Sequence, residues 1–148
     1  MKSLRALNCL IFISLVIFLS SGCQKDEGQG GTSTIVGHVV INSFQAGFNP
    51  PVPETTYAAV DEDTYIIYGA DHSTYNDNYK TSFDGSYEYK YLQKGKYRIF
   101  AYSKDSTGAY LGNASSTRPK IPVFVDVEIT ENGQTVTAPT LTILKDNQ

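Results

Sequence analysis

Acid–base and nucleophilic chemistry has few carriers in this chain. Beyond residue 23 there is no cysteine, and the two histidines are His38 and His72. His38 lies on the polar side of an alternating run, which predicts an exposed strand residue. His72 stands between Asp71 and Ser73, but no third orienting group and no oxyanion motif accompanies them. We therefore predict that the protein is not an enzyme.

Oxygen ligands are more frequent, in the runs "DEDTY" from residue 61 and "DHSTYNDN" from residue 71. Carboxylate and amide oxygens in loops suit Ca²⁺. The spacing matches no EF-hand loop, however, and Asp and Asn are also the ordinary residues of turns. The sequence therefore predicts solvated turns without a metal or another cofactor. The alternative is a bound Ca²⁺, for which the candidate ligands are Asp61, Asp63, Asp71 and Asp77.

Tyrosine is the unusual residue type, since the chain has eleven Tyr and seven Phe but no Trp. An exposed ring can stack on a sugar, and Tyr also supplies protein contact area at low entropic cost. Tyr in strands is also often cross-strand packing, and Trp, the usual stacking platform for sugars, is missing. Five tyrosines crowd the region before residue 81 and are candidate ligand contacts: Tyr57, Tyr65, Tyr68, Tyr75 and Tyr79.

The N-terminus has the zones of a secretory signal peptide. Lys2 and Arg5 precede an apolar run over residues 9–19, and small residues then lead directly into Cys23. The run is shorter than the about twenty residues that span a bilayer, although extending it to residue 6 leaves an uncleaved anchor as an alternative. The junction resembles the lipobox of bacterial lipoproteins, with Ser20 where that family usually has Leu. This resemblance implies a covalent lipid on Cys23. The other alternative is a secreted protein with an incidental cysteine.

The residues after Cys23 indicate on which side of the outer membrane such a lipoprotein would lie. Gln24, Lys25, Asp26 and Glu27 resemble the short acidic export signal of Bacteroidetes lipoproteins. This resemblance implies a lipid-anchored position on the outer surface of the outer membrane. If these residues are instead only a solvated linker, the protein faces the periplasm. We divide the chain into a signal peptide (1–22), a lipidated cysteine with a flexible tether (23–33) and one domain (34–146).

The domain consists of short alternating runs separated by turn signals, without a helical period. Pro50, Pro51 and Pro53 predict a loop, because proline cannot continue a ladder. Asp84-Gly85 predicts a hairpin with a type I′ turn. About seven strands with turns between them indicate an antiparallel β-sandwich with one core. The clearest runs lie at residues 35–42, 65–68, 86–91, 97–102, 123–129 and 140–144.

One segment of the domain carries a family resemblance. The pattern T-x-x-D-G-x-Y-x-Y-x-x-L-x-x-G-x-Y-x-I, from Thr81 to Ile99, resembles the carboxypeptidase-regulatory-like and transthyretin-like family. The resemblance covers most of residues 34–145 and implies a seven-stranded Greek-key sandwich of the prealbumin-like or Ig-like kind. In that family the domain mostly serves as an accessory, adhesive or spacer module. The resemblance also implies a set of inward-facing residues: Tyr87, Tyr89, Leu92, Tyr97 and Ile99.

The net charge of the chain limits the classes of partner that it can bind. The chain carries a formal charge of −3, and removal of residues 1–22 with Lys2 and Arg5 leaves −5. A nucleic-acid ligand needs a basic face, so we exclude one. We expect a lipid-anchored binding or scaffolding module of the cell envelope, such as an accessory subunit or an adhesin, with the membrane and an envelope protein as partners. The alternative is a surface lipoprotein that binds carbohydrate through exposed tyrosines.

Overall fold

The computed structural model describes residues 27–45, 52–69, 73–105 and 119–146. These residues form nine strands and no helix: β1 (Gln29–Gln45), β2 (Val52–Ala58), β3 (Asp63–Tyr68), β4 (Asp77–Lys80), β5 (Ser86–Leu92), β6 (Gly95–Lys104), β7 (Lys120–Ile129), β8 (Thr135–Thr137) and β9 (Leu141–Asp146). In these four segments there is accordingly no helix that could cross a membrane.

The strands pair into two sheets. In the first sheet β1 is central, with β5 and β2 antiparallel along one side and β8 and β9 parallel along the other. The second sheet is antiparallel, in the order β4-β3-β6-β7. The predicted all-β sandwich is confirmed. The described residues form more than the predicted seven or so strands because three strands lie outside the predicted runs: β2 in the proline-rich segment, β4 at the end of the Asp- and Asn-rich run from residue 71, and β8 before Pro139.

The proline-rich segment was predicted as a loop, and this prediction is wrong for its second half. β2 starts at Val52 and includes Pro53, which pairs with Phe44. The register shifts between Ser43 and Phe44, and β2 is an edge strand. Proline is tolerated at such positions, because no ladder hydrogen bond from its nitrogen is needed there.

The Asp84-Gly85 turn also differs from the prediction. Gly85 has a φ of 80°, but Asp84 is not among the described non-glycine residues with positive φ, so the turn is not type I′. The Gly85 N–H donates to the Ser82 carbonyl at 3.0 Å. The turn connects β4 in the second sheet to β5 in the first. The turn therefore carries the chain from one sheet to the other. β4 pairs with β3 and β5 pairs with β1, so β4 and β5 do not form a hairpin.

The core lies between the two sheets and follows the predicted alternation. All five residues that were expected to face inward are buried: Tyr87, Tyr89, Leu92, Tyr97 and Ile99. Tyr91 breaks the period of β5. Its φ is 60°, and this backbone conformation accompanies the burial of Leu92 while Tyr91 remains 71% exposed. The residue that alternation alone would place inside is thus outside.

The two ends of the sandwich are marked by the start of β1 and by the end of β6. β1 begins at Gln29, inside the segment that the sequence assigned to a tether. Beside it, the Gly28 N–H donates to the Tyr97 hydroxyl and the Gln93 N–H donates to the Gly28 carbonyl. We call this the proximal end. β6 runs from Gly95 there to Lys104 at the opposite, distal end, a length of roughly 30 Å for an extended strand of that size.

Candidate functional site

The outer surface of the second sheet carries a cluster of aromatic rings. Along β3 and β6 the residues that alternate with the buried core point away from it. Tyr65 on β3 pairs with Phe100 on β6, and Phe100 pairs with Phe124 on β7. Tyr102 follows Phe100 on the same face, and Tyr75 reaches the cluster from the segment before β4. We call these five rings the aromatic face.

The rings are in direct contact. Tyr65 stacks on Phe100, with ring centroids 4.9 Å apart and planes inclined by 16°. Tyr75 and Tyr102 meet Tyr65 edge-on, at 4.8 Å and 5.5 Å. Phe124 lies 5.2 Å from Phe100. Edge-on and offset contacts at these distances are the arrangements that aromatic quadrupoles favour, so the rings hold one another in place.

Burial differs strongly across the aromatic face. Phe100 is only 5% exposed, whereas Tyr102 is 42%, Phe124 47% and Tyr75 52% exposed. The buried Phe100 and the half-buried Tyr65 form a floor, and the three exposed rings rise around it. A contiguous group of exposed aromatic side chains on a sheet typically marks a binding surface, in contrast to singly scattered apolar residues.

A charged pair borders the aromatic face. Arg98 donates from Nε and Nη2 to the two carboxylate oxygens of Asp126, at 2.7 Å and 3.3 Å. These hydrogen bonds hold the pKa of Asp126 below its usual value. The Arg98 guanidinium carbon also lies 5.5 Å from the centre of the Phe124 ring, within cation–π range. Planar donors and acceptors therefore lie next to the apolar rings.

At the distal end the aromatic face continues into a cleft of about 260 Å³, the distal cleft. Tyr65 and Tyr102 line both the face and the cleft. The other side chains that line it are mostly charged: Glu62, Asp63, Lys104, Lys120 and Lys145. Lys145 forms an ion pair with Glu62. Burial, followed by the nearby charge of Asp63, raises the pKa of Tyr65, which keeps its hydroxyl a hydrogen-bond donor.

A second cleft, of about 270 Å³, lies between β4 and β5. Tyr68, Tyr79 and Tyr91 line it together with Asp77 and Asn78. Tyr68 also packs against the core, and burial raises its pKa. We call it the proximal cleft, because the start of β1 at Gln29 borders it. It presents two exposed tyrosines, but they are not in contact with the aromatic face.

The five candidate tyrosines are therefore divided among three places. Tyr65 and Tyr75 meet in the aromatic face, and Tyr68 and Tyr79 line the proximal cleft. Tyr57 is exposed on β2, in the first sheet. The structure brings together two of the five and separates the other three from them.

Three residues of the aromatic face were not among the candidates: Phe100, Tyr102 and Phe124. A signal for two of them was present in the sequence. In β6 the phase opposite the core residues carries Phe100 and Tyr102, where a solvent-facing strand would normally carry polar residues. Aromatic residues on both phases of one strand indicate that its outer face also has a function or a partner.

The remaining candidates do not converge. The Asp61 carboxylate pairs with Lys80 at 3.0 Å, Asp63 lines the distal cleft and Asp77 the proximal cleft. Asp71 lies outside the described residues. Across residues 27–45, 52–69, 73–105 and 119–146, no three His, Cys, Asp or Glu side chains come together as a metal site requires.

His38 is exposed on β1, as the alternation predicted. His72 lies outside the described residues, as do Cys23, Gln24, Lys25 and Asp26. Glu27 is the first residue of the described chain, and it is exposed.

Comparison with known proteins adds little to this geometry. No protein-family model and no curated protein sequence matches the chain. Among solved structures, it is similar to the crystal structure of a putative carbohydrate binding protein from Pseudomonas aeruginosa. The match covers 80% of this chain and 91% of that one, with 10% sequence identity and a TM-score of 0.43. A similarity this remote assigns neither a family nor a ligand to this chain.

Proposed function

We propose that this protein is a non-catalytic binding module of the cell envelope, anchored through a lipid on Cys23, and that it binds carbohydrate on the aromatic face. The observation that carries the proposal is the group of three exposed rings around a buried aromatic floor. The lipoprotein and carboxypeptidase-regulatory-like resemblances of the sequence support the envelope location and the accessory role.

The chemistry of the aromatic face suits a sugar ring. A pyranose has an apolar C–H face and a rim of hydroxyl groups. The rings offer an apolar surface, while the Tyr75 and Tyr102 hydroxyls and the Arg98–Asp126 pair offer hydrogen bonds beside it. Ligand sites generally combine an apolar lining with a few placed polar groups in this way.

The size of the aromatic face also favours a small ligand over a protein. β3, β6 and β7 are adjacent, so the rings extend roughly 10 Å across the sheet at the usual strand spacing. That width accommodates about two sugar rings. A stable protein interface instead involves about 20–30 residues on each partner, against the five rings of the aromatic face.

The anchor would keep the domain close to the membrane. Five residues separate Cys23 from the start of β1 at Gln29, which corresponds to a maximal reach of about 20 Å. The proximal end would then face the lipid. The aromatic face extends toward the distal end, where a ligand outside the membrane can reach it.

Glycan binding is tested with Tyr102→Ala and Tyr75→Ala. On an array of polysaccharides the wild-type protein is expected to bind at least one. Each variant is expected to lose about tenfold in affinity, because a stacked aromatic ring contributes about 0.5–1.5 kcal/mol beyond the apolar area that it buries. The matched control is Tyr57→Ala, since Tyr57 is 44% exposed against 42% for Tyr102 but lies on the other sheet.

Two results would contradict glycan binding at this face. One is equal binding by Tyr102→Ala and Tyr57→Ala, with unchanged circular dichroism and melting temperature. The other is the absence of binding to every glycan, together with recovery of one stoichiometric envelope protein after cross-linking on intact cells. That second result would make the protein a scaffolding subunit.

A further inference from the structure

The proximal cleft lies on the side of the sandwich, between an edge strand of each sheet. β4 ends the order of the second sheet, and among the described strands β5 pairs with β1 alone. Each wall contributes one exposed ring to the cleft, Tyr79 from β4 and Tyr91 from β5. None of the residues that line the cleft belongs to the aromatic face, so the two surfaces can hold separate ligands.

Tyr91 has a backbone conformation that a tyrosine rarely adopts. Its φ is 60°, and for a bulky residue a positive φ is an outlier that costs free energy. Glycine would take the same conformation, with Leu92 still buried, at no such cost. The Tyr91 side chain is 71% exposed, so packing inside the domain offsets little of the strain. Strained residues of this kind cluster at sites that hold ligands.

The β1 strand is also irregular beside this cleft. The register between β1 and β5 shifts between Gln29 and Ser33, both of which pair with Leu92. Gln29 donates from Nε2 to one carboxylate oxygen of Asp77 at 3.1 Å, and the Asn78 N–H donates to the other at 2.8 Å. Bulges next to functional sites commonly redirect a side chain. Here the irregular stretch brings Gln29 to Asp77 and holds that carboxylate at the cleft.

The polar groups of the proximal cleft favour a neutral ligand. Lys90 forms an ion pair with Glu88 at 2.9 Å, and the Asp77 carboxylate already accepts the two hydrogen bonds above. The cleft thus offers hydrogen-bonding groups next to exposed rings, which suits a ligand with hydroxyl groups and an apolar face. Its volume of about 270 Å³ is slightly below the about 300 Å³ at which sites for drug-sized ligands begin, so it admits one sugar residue.

We propose that the proximal cleft is a second carbohydrate site, which holds one neutral sugar residue between Tyr79 and Tyr91 while Asp77 accepts hydrogen bonds from its hydroxyl groups. The ligand class is that of the proposed function. The site goes beyond that function, because it lies at the edge of the sandwich and works without the aromatic face.

The test follows tyrosine ring signals by NMR in the full chain, which carries isotope-labelled tyrosine and is kept in a mild detergent. The probes are maltotriose, cellotriose, mannotriose, xylotriose and chitotriose. At least one is expected to shift the Tyr79 and Tyr91 signals, and to leave the signal of Tyr57, exposed on the first sheet, in place. These shifts should persist in Tyr102→Ala. Tyr79→Ala should weaken the binding reported by Tyr91 about tenfold.

Two substitutions of Tyr91 separate a ligand contact from a structural role. Tyr91→Ala removes the ring and keeps the strain, whereas Tyr91→Gly removes both. The melting temperature of Tyr91→Gly is therefore expected to lie about 4 °C above that of Tyr91→Ala. Both variants should weaken the binding reported by Tyr79 to the same extent. A melting temperature of Tyr91→Gly at or below that of Tyr91→Ala would overturn the argument from strain.

The outcomes separate this inference from the proposed function. Shifts of the Tyr75 and Tyr102 signals without shifts of Tyr79 and Tyr91 would overturn the second site and leave the aromatic face as the binding surface. Shifts of Tyr79 and Tyr91 that vanish in Tyr102→Ala would overturn the independence of the cleft. Shifts of Tyr79 and Tyr91 alone would support the cleft and contradict binding at the aromatic face. Absence of every shift, with all five probes, would overturn both.

Discussion

Two tyrosine hydroxyls in the core of this sandwich have opposite surroundings. The Tyr97 hydroxyl donates to the Gln93 carbonyl at 2.6 Å and accepts from the Gly28 N–H at 3.2 Å. The Tyr87 hydroxyl is buried without a hydrogen-bond partner among the described residues. It packs where a side chain at Gly37 would otherwise lie. A buried donor without a partner carries a desolvation cost of about 1–3 kcal/mol.

We therefore expect only one of the two Tyr→Phe variants to lower the free energy of unfolding. Tyr87→Phe removes an unpaired hydroxyl, so the free energy of unfolding should stay unchanged or rise by up to about 1 kcal/mol. Tyr97→Phe leaves the Gly28 N–H without its partner and should lower that free energy by about 1–2 kcal/mol. Urea denaturation of the full chain in mild detergent measures both. A loss in Tyr87→Phe as large as in Tyr97→Phe would contradict this account.

At the scale of the elements, the turns that carry the chain from one sheet to the other determine which strands are adjacent. The turn at Gly85 packs tightly on the first sheet. Its carbonyl accepts from the Val39 N–H at 2.9 Å, and a Cβ at Gly85 would lie 2.5 Å from the Val39 carbonyl oxygen. The turn at Gly133 also has a positive φ, of 75°, but a Cβ there would meet nothing closer than the Thr32 hydroxyl at 3.9 Å.

This difference gives a matched pair of substitutions. Gly133→Ala should cost about 1 kcal/mol, which is the strain of an L-residue at positive φ. Gly85→Ala has the same strain plus a clash with backbone, so a loss of about 3 kcal/mol or more is expected. The free energy of unfolding is measured by denaturant titration. Equal losses would show that the close approach of the turn to β1 does not contribute.

The burial pattern of single strands could be predicted from the sequence, whereas the pairing between strands could not. In β5 and β6 the residues alternate between two faces, because the period of two is a local property of the backbone. The family resemblance implied which face is inward, and Tyr87, Tyr89, Tyr97 and Ile99 are indeed buried. The prediction of a hairpin at Asp84-Gly85 was wrong. A turn signal shows that the chain reverses, but not which strand the next one will pair with, because pairing is decided by contacts far apart in sequence.

At the scale of the whole molecule, the proposed anchor and the proposed binding surface lie at different ends. β1 starts at the proximal end, beside Gln93 and Tyr97. The distal cleft is about 30 Å away along β6. A lipid on Cys23 would hold the proximal end near the membrane and leave the distal end free. The anchor therefore does not compete with a ligand for space.

The anchor has its own test. Cys23→Ser is expected to move the protein from the membrane fraction to the soluble fraction, because two or more acyl chains are what hold a lipoprotein durably in the bilayer. Cys9→Ala, which changes the other cysteine of the chain, should leave the protein in the membrane fraction. If Cys23→Ser remains in the membrane fraction after a carbonate wash, the lipid anchor is contradicted. Glycan binding by the purified protein should be unchanged.

The sequence by itself determined the strand character of the domain and its single core, because alternation and turn chemistry act over a few neighbouring residues, and its family resemblance implied the inward-facing residues. Only the tertiary structure decided which tyrosines act together. Tyr65, Phe100 and Phe124 come from three strands and meet because β3 pairs with β6 and β6 with β7 in one particular register. That register depends on how two sheets pack over the core, so the aromatic face could not be derived from spacing along the chain.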